Sequence, residues 1–142
     1  MTARSASIDT PIAEPQPDRP TQSEPPTPDP GRPVALQIAQ TLADTPASNT
    51  VVLDIHGMSP FADYFVICSA DNERQLRAIN RQVMDGMAKE GIRPERTEGT
   101  PAGGWIVLDY GDVIVHIFAA ELRAFYRLED LWADAQTLVT IQ

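Results

Sequence analysis

Apolar positions along the chain change their period several times, and each change marks an element. Ala35, Ile38, Ala39 and Leu42 recur at helical spacing. They predict a short amphipathic helix that starts at Pro33, a residue suited to a first helical turn, and stops before Pro46. Residues 50–55 (TVVLDI) read as a strand, followed by a loop over 56–60 (HGMSP). A second strand covers 63–68 (DYFVIC); it is apolar on both faces toward its end, which predicts a sheet covered on both sides. Helix signals follow at once. Asn72 is placed to cap a helix, with Gln75 three residues on as in a capping box. Leu76, Ile79, Val83 and Met87 form one apolar stripe, and Gly91 ends the helix. A third strand is expected over 92–97 and a Gly/Pro loop over 98–104, then two more strands within 105–118 (WIVLDYGDVIVHIF). Residues 121–127 read as helical, and a short helical turn includes Leu131 and Trp132. Strands and helices in this order predict an α/β fold with a mixed five-stranded sheet flanked by helices.

The hairpin carries the densest pattern. Asp109-Tyr110-Gly111-Asp112 is a strong turn signal, and a two-residue loop at Tyr110 and Gly111 would set Asp109 opposite Asp112 and Trp105 opposite His116. Ile106, Leu108, Val113, Val115 and Ile117 then share one aliphatic face, the core side. The other face takes Trp105, Val107, Asp109, Asp112, Ile114, His116 and Phe118. A slip of one residue would scatter these polar groups over both faces.

Composition divides the chain. The first 33 residues hold nine of the thirteen prolines and almost no large apolar side chains. They cannot bury enough surface to offset the entropy of ordering, so residues 1–32 are expected to be a disordered Pro-rich tail and 33–142 a single domain. The net charge is −9, of which the first 33 residues contribute −2 (three arginines against five acids), leaving −7 on the remainder. Such a field opposes binding along a phosphate backbone, and Lys89 is the sole lysine, so direct nucleic-acid binding is not expected. A basic protein partner suits the charge better. Cys68 stands alone inside an apolar run and reads as a buried, inert thiol. No apolar stretch approaches the length of a membrane span, and the N-terminus has neither signal-peptide nor transit-peptide character, so a cytoplasmic location is expected.

Asp109, Asp112, His116 and Trp105 admit three chemistries. Paired carboxylates beside an imidazole suit a divalent metal or acid–base catalysis, as in a metal-dependent nucleotidyltransferase-like enzyme. The usual companions are absent from the sequence: there is no phosphate-binding glycine loop, HExxH, nucleophile elbow or Asp-x-Asp pair. Aromatic and apolar side chains rimmed by acids instead have the composition of a protein-docking surface. Plain structural roles compete with both: turn capping for the aspartates, a satisfied half-buried histidine, and packing for the tryptophan.

Residues 52–135 closely resemble the ribosomal silencing factors, also called the Iojap family. The matching runs are ADYFVICS (62–69), NERQLRAI (72–79), EG (98–99), WIVLDYGDVIVHIF (105–118) and FYRLEDLWADA (125–135). The resemblance implies a small α/β fold with a mixed five-stranded sheet, similar to nucleotidyltransferases but without their catalytic acids. It implies a non-enzymatic translation repressor without cofactor or metal, one that binds the large ribosomal subunit through ribosomal protein fourteen. Occupying that site would block joining of the small subunit when nutrients are scarce. Carried over position by position, the partner-binding residues would be Glu98, Trp105, Asp109, Tyr110, Asp112, His116, Glu121 and Tyr126. Gly111 and Trp132 also match, the first as a turn residue and the second as a possible pin for the C-terminal helix. The resemblance allows a homodimer of the free protein. It does not extend to the Pro-rich leader, and DTPASNT (44–50) departs from the family, which often has a Lys-Ala pair there.

Overall fold

Helices and strands follow the apolar periods closely in the computed structural model, which describes residues 29–142. The tail expected over 1–32 therefore lies almost wholly outside the described residues. Helix α1 (Gly31–Ala43) begins two residues ahead of the expected Pro33, which sits inside its first turn, where a missing N–H costs nothing. Strands β1 (Ser48–Asp54) and β2 (Tyr64–Ala70) follow, then the long helix α2 (Glu73–Lys89). Next come β3 (Arg96–Thr100), β4 (Trp105–Asp109), β5 (Val113–Ala119), the short helices α3 (Ala120–Tyr126) and α4 (Leu128–Leu131), and β6 (Gln136–Ile141).

The caps of α2 explain its length. Asn72 accepts a hydrogen bond from the Gln75 amide at 2.8 Å, and the Gln75 side chain accepts from the Asp71 amide at 2.9 Å, one residue outside the usual capping-box partner. At the other end Gly91 takes φ +77°, with the Gly91 amide bonded to Ala88 and the Ile92 amide to Met87. Replacing Asn72 with alanine is expected to cost about 1 kcal/mol in a urea titration, the usual loss for an N-cap.

The sheet runs β3-β4-β5-β2-β1-β6; β2 and β5 are parallel and every other pair is antiparallel. It has six strands, one more than the sequence pattern predicts. The additional strand, β6, pairs along β1 and draws on Thr137, Leu138, Val139 and Ile141, residues too short of apolar alternation to stand out. Strand β3 also lies later than the expected 92–97. The backbone of Ile92 closes the α2 cap and Pro94 has no N–H to give, so pairing starts only where the Glu95 amide reaches the Asp109 carbonyl. The loop expected over 98–104 shrinks to the turn 101–104.

Helices α1 and α2 cover one face. Ile38, Leu42, Leu76, Ile79, Val83 and Met87 pack on Val52, Val66, Ile106, Leu108, Val115 and Ile117, all buried. The second face has a smaller core around Leu53, Ile55, Phe65, Ile67 and Phe118, roofed by Leu122, Leu128 and Trp132. Strand β2, buried at all seven positions, is the covered strand the sequence predicts. Cys68 lies within it, fully buried, and burial pushes its thiol up to about 12.

Candidate docking face

The hairpin keeps the expected division of its faces but not the expected register. Trp105 pairs with Phe118, Val107 with His116 and Asp109 with Ile114, a slide of two residues from the two-residue loop. The two-residue loop moves on by one position, to Gly111 and Asp112, as Asp109 accepts from the Gly111 amide at 2.8 Å while the Tyr110 amide bonds to the Val113 carbonyl. A slide of two preserves side-chain parity, so Trp105, Val107, Asp109, Ile114, His116 and Phe118 still share one face.

Asp112 leaves that face. Its carbonyl accepts from the amides of Asp63 and Tyr64, and its Cβ lies beside Gly31 at the start of α1. Tyr110 also turns away: its ring packs against the α1–α2 core, its buried hydroxyl has no hydrogen-bond partner among the described residues, and burial raises it to about 12. The expected gathering of Asp109, Asp112 and His116 is thus corrected to a pair on one face with the third residue elsewhere. Asp109 is committed to the turn and to Arg96, 3.3 Å from its carboxylate. No group of three or more His, Cys, Asp or Glu side chains among the described residues is arranged to hold a metal ion.

His116 is a core residue with 7% exposure. Its Nδ1 accepts from the Trp105 indole N–H at 3.2 Å, which puts the ring proton on Nε2, where no partner stands among the described residues. Burial holds its pKa down to about 4, so the ring is neutral at physiological pH. Around it runs a continuous aromatic row. Trp132 meets Phe65 at 5.3 Å between ring centres, and Phe65 meets His116 at 4.8 Å edge-on. Trp105 stacks on Phe118 at 4.6 Å and touches Tyr126 at 5.2 Å, and Tyr126 meets Phe125 at 5.1 Å. The row is enclosed at Phe65, His116 and Phe118, half-buried at Trp132, and opens to solvent at the other end, where Tyr126 is 51% and Phe125 74% exposed. Trp132 therefore pins the C-terminal segment as packing.

At the open end, Glu98, Gly99, Trp105 and Val107 line a shallow hollow of about 260 Å³. Glu98 stands on its rim, exposed, 3.6 Å from Arg96, so that guanidinium lies between two carboxylates of the same face. Glu121 is exposed in the first turn of α3. Of the eight expected partner residues, then, Glu98, Trp105 and Tyr126 frame one exposed patch, Glu121 lies on the neighbouring helix, Asp109 and His116 support the patch from within, and Asp112 and Tyr110 lie outside it. Phe125 and Leu131, 74% and 73% exposed, were not singled out by the pattern. The signal for Phe125 lay in the Phe125-Tyr126 doublet, because adjacent residues on a helix cannot both face one core.

A second histidine sits apart from this face. His56 Nδ1 lies 2.6 Å from Asp54, with Asp63 and Asp29 at 3.5 and 3.8 Å from Nε2. The hydrogen bond to Asp54 holds the His56 ring above its ordinary pKa. Tyr64 donates to Asp29 at 2.7 Å, fastening the entry to α1.

Comparison with known proteins follows the same residues. The family model described as "Ribosomal silencing factor during starvation" matches residues 28–142. The ribosomal silencing factor RsfS of Bacillus subtilis is 40% identical over 101 residues, covering 70% of this chain and 86% of that protein. The chloroplastic protein Iojap of Zea mays is 30% identical over 101 residues, 71% of this chain and 44% of that one. Among solved structures, a Bacillus halodurans protein superposes with a TM-score of 0.66 at 32% identity, covering 76% of this chain and 98% of that chain. A Chromobacterium violaceum protein shares the fold, with a TM-score of 0.69 at 24% identity over 72% of this chain and 85% of that one. On the family match and the two-thirds coverage of close relatives, the chain belongs to the ribosomal silencing factor family.

Proposed function

We propose that the protein represses translation by binding the large ribosomal subunit through ribosomal protein fourteen, so that the body of the domain occupies space the small subunit needs. Membership of the ribosomal silencing factor family supports a role in translation regulation. The observation that carries the finer reading is the exposed aromatic end of the row, Trp105, Tyr126 and Phe125, beside the hollow that Glu98 rims. Large, rigid aromatics at the centre of a patch provide most of the affinity in protein interfaces, and charged rims mainly speed encounter. The chain's net negative charge favours a basic protein over bare nucleic acid. Such a protein acts in the cytoplasm with no cofactor; among the described residues, no helix is long and apolar enough to cross a membrane. The enzymatic alternative finds no geometric support, because Asp112 is parted from Asp109 and His116 is enclosed.

Tyr126→Ala and Glu98→Lys test the surface with little risk to the fold, since both side chains are exposed. Each is expected to weaken co-sedimentation with purified large subunits about tenfold or more, and to restore subunit joining in proportion. Parent-like pelleting by both variants would remove this face as the ribosome contact.

A further inference from the structure

Helix α3 carries the exposed aromatics Phe125 and Tyr126, yet neither it nor α4 contains a buried residue. A helix of seven residues followed by one of four is too short to hold itself, and the half-buried Leu122 and Leu128 are the apolar anchors the two have on the second core. What ties them down besides is one guanidinium. Arg123 donates from Nε and Nη2 to the Glu129 carboxylate at 2.9 and 2.6 Å, and from Nη1 to the Ser69 hydroxyl at 2.9 Å and the Asn49 carbonyl at 2.5 Å. These four bonds join α3 to α4, to the end of β2 and to the start of β1. The Arg123 side chain is only 11% exposed, so the bonds to Glu129 and Ser69 are partly sheltered from competing water, while the bond to Asn49 is exposed.

Backbone conformation points to the same residue. Among the described residues, only Asn49 and Arg127 hold positive φ without being glycine, at +51° and +50°. Asn49 presents its carbonyl to Arg123, and the Arg127 amide closes onto the carbonyl of Arg123. Left-handed backbone at ordinary residues costs free energy and persists where the surroundings over-determine it. Both such positions here converge on Arg123. Tyr126 lies three residues on, on the same side of the helix, and Ser69 lies opposite Phe118, on which Trp105 stacks. The cleft of about 430 Å³ beside Arg123 holds Glu129 and Asp130 as well, so its charge is already matched.

We propose that Arg123 is a positioning residue for the docking face: its clamp on Asn49, Ser69 and Glu129 sets Tyr126 against Trp105, and partner binding depends on that clamp. The proposal rests on the docking reading above. The two long helices pack on the opposite face of the sheet, so the main core does not need the clamp. Lysine keeps the charge but lacks the planar fork, and cannot bridge Glu129 while reaching Ser69 and Asn49.

The test compares Arg123→Lys, the milder Glu129→Gln and, in parallel, Trp105→Ala, all in the full chain. Three readouts are taken: amide protection in α2, aromatic cross-peaks between Trp105 and Tyr126 by NMR, and pelleting with purified large subunits. Arg123→Lys and Glu129→Gln are expected to keep α2 protection, lose the Trp105–Tyr126 cross-peaks and bind at least tenfold more weakly. Cross-peaks that persist, or parent-like binding by Arg123→Lys while Trp105→Ala fails to bind, would overturn the clamp and leave the docking face standing. Loss of α2 protection in both clamp variants would overturn it too, by making Arg123 a general stability element. Parent-like binding by Trp105→Ala would instead overturn the docking reading, and the clamp's role in binding with it.

Discussion

Trp105→Ala is expected to lower affinity for the large ribosomal subunit by about 30-fold or more, the equivalent of about 2 kcal/mol. Its ring joins the exposed and enclosed halves of the aromatic row, with Tyr126 on one side and Phe118 beneath, and it forms the floor of the hollow at Glu98. Removing it takes away the central contact, leaves Tyr126 without a seat, and strips His116 of the one donor on its Nδ1. The same change is expected to cost stability. Fully buried tryptophans lose about 3–5 kcal/mol on truncation, and a half-buried one roughly half that. Pelleting is therefore measured where near-UV circular dichroism shows the variant folded. Trp105→Phe separates the two effects: it keeps a ring on Phe118 and loses only the indole donor. If Trp105→Ala, folded, pellets like the parent, the aromatic patch is not the contact.

The second large effect is on acid stability. His116 is neutral when folded because burial holds its pKa down to about 4, while in the unfolded chain it is close to 6.5. As pH falls below the unfolded value, the unfolded chain takes up a proton that the native ring refuses. The stability this residue provides is thus complete above pH 6.5, declines between 6.5 and 4, and is gone below. The difference amounts to about 3 kcal/mol. His116→Asn retains an acceptor for the Trp105 indole and cannot titrate. Urea midpoints at pH 7 and pH 4.5 should converge in this variant compared with the parent. An identical acid limb in both proteins would mean that His116 is protonated when folded. His56 has the opposite sign: its value is raised by Asp54, so its contribution is present below the ordinary histidine range and fades as pH rises through the raised value. Being exposed, it is the smaller of the two effects.

Much of this architecture is legible in the residues because single-period signals are local. The stripe from Leu76 to Met87, the Asn72 cap, Gly91 and the covered β2 need only their neighbours to be read, and each stands where the pattern puts it. The hairpin faces are legible for a different reason: parity survives a slide of two. Its register is not, since turns at Tyr110-Gly111 and at Gly111-Asp112 differ by hydrogen bonds that Asp112 makes at the start of β2, far away in sequence. Long-range choices of that kind account for the other differences. Strand β6 exists because β1 offers it an edge, and β3 is delayed by a cap belonging to another element. In the site, Trp105 lines the hollow with Glu98 and touches Tyr126, whereas Tyr110 and Asp112, equally prominent in sequence, face the α1 side. Arg123 gives no sequence signal at all, for two of its three partners are 54 and 74 residues distant.

Strand β3 forms one margin of the sheet and is exposed along its whole length. It is an unusually poor template for another strand. Gly99 adopts φ +88° at a spot where a side chain would strike the carbonyl of Trp105, and Arg96 and Glu98 crowd the same few residues with opposite charges. Pro94 sits just before it. A charged margin with a left-handed glycine resists the edge-to-edge pairing of sheets. Main-chain pairing at this margin is opposed by the left-handed Gly99 and by the charges beside it, so what the strand offers to its surroundings is its side chains.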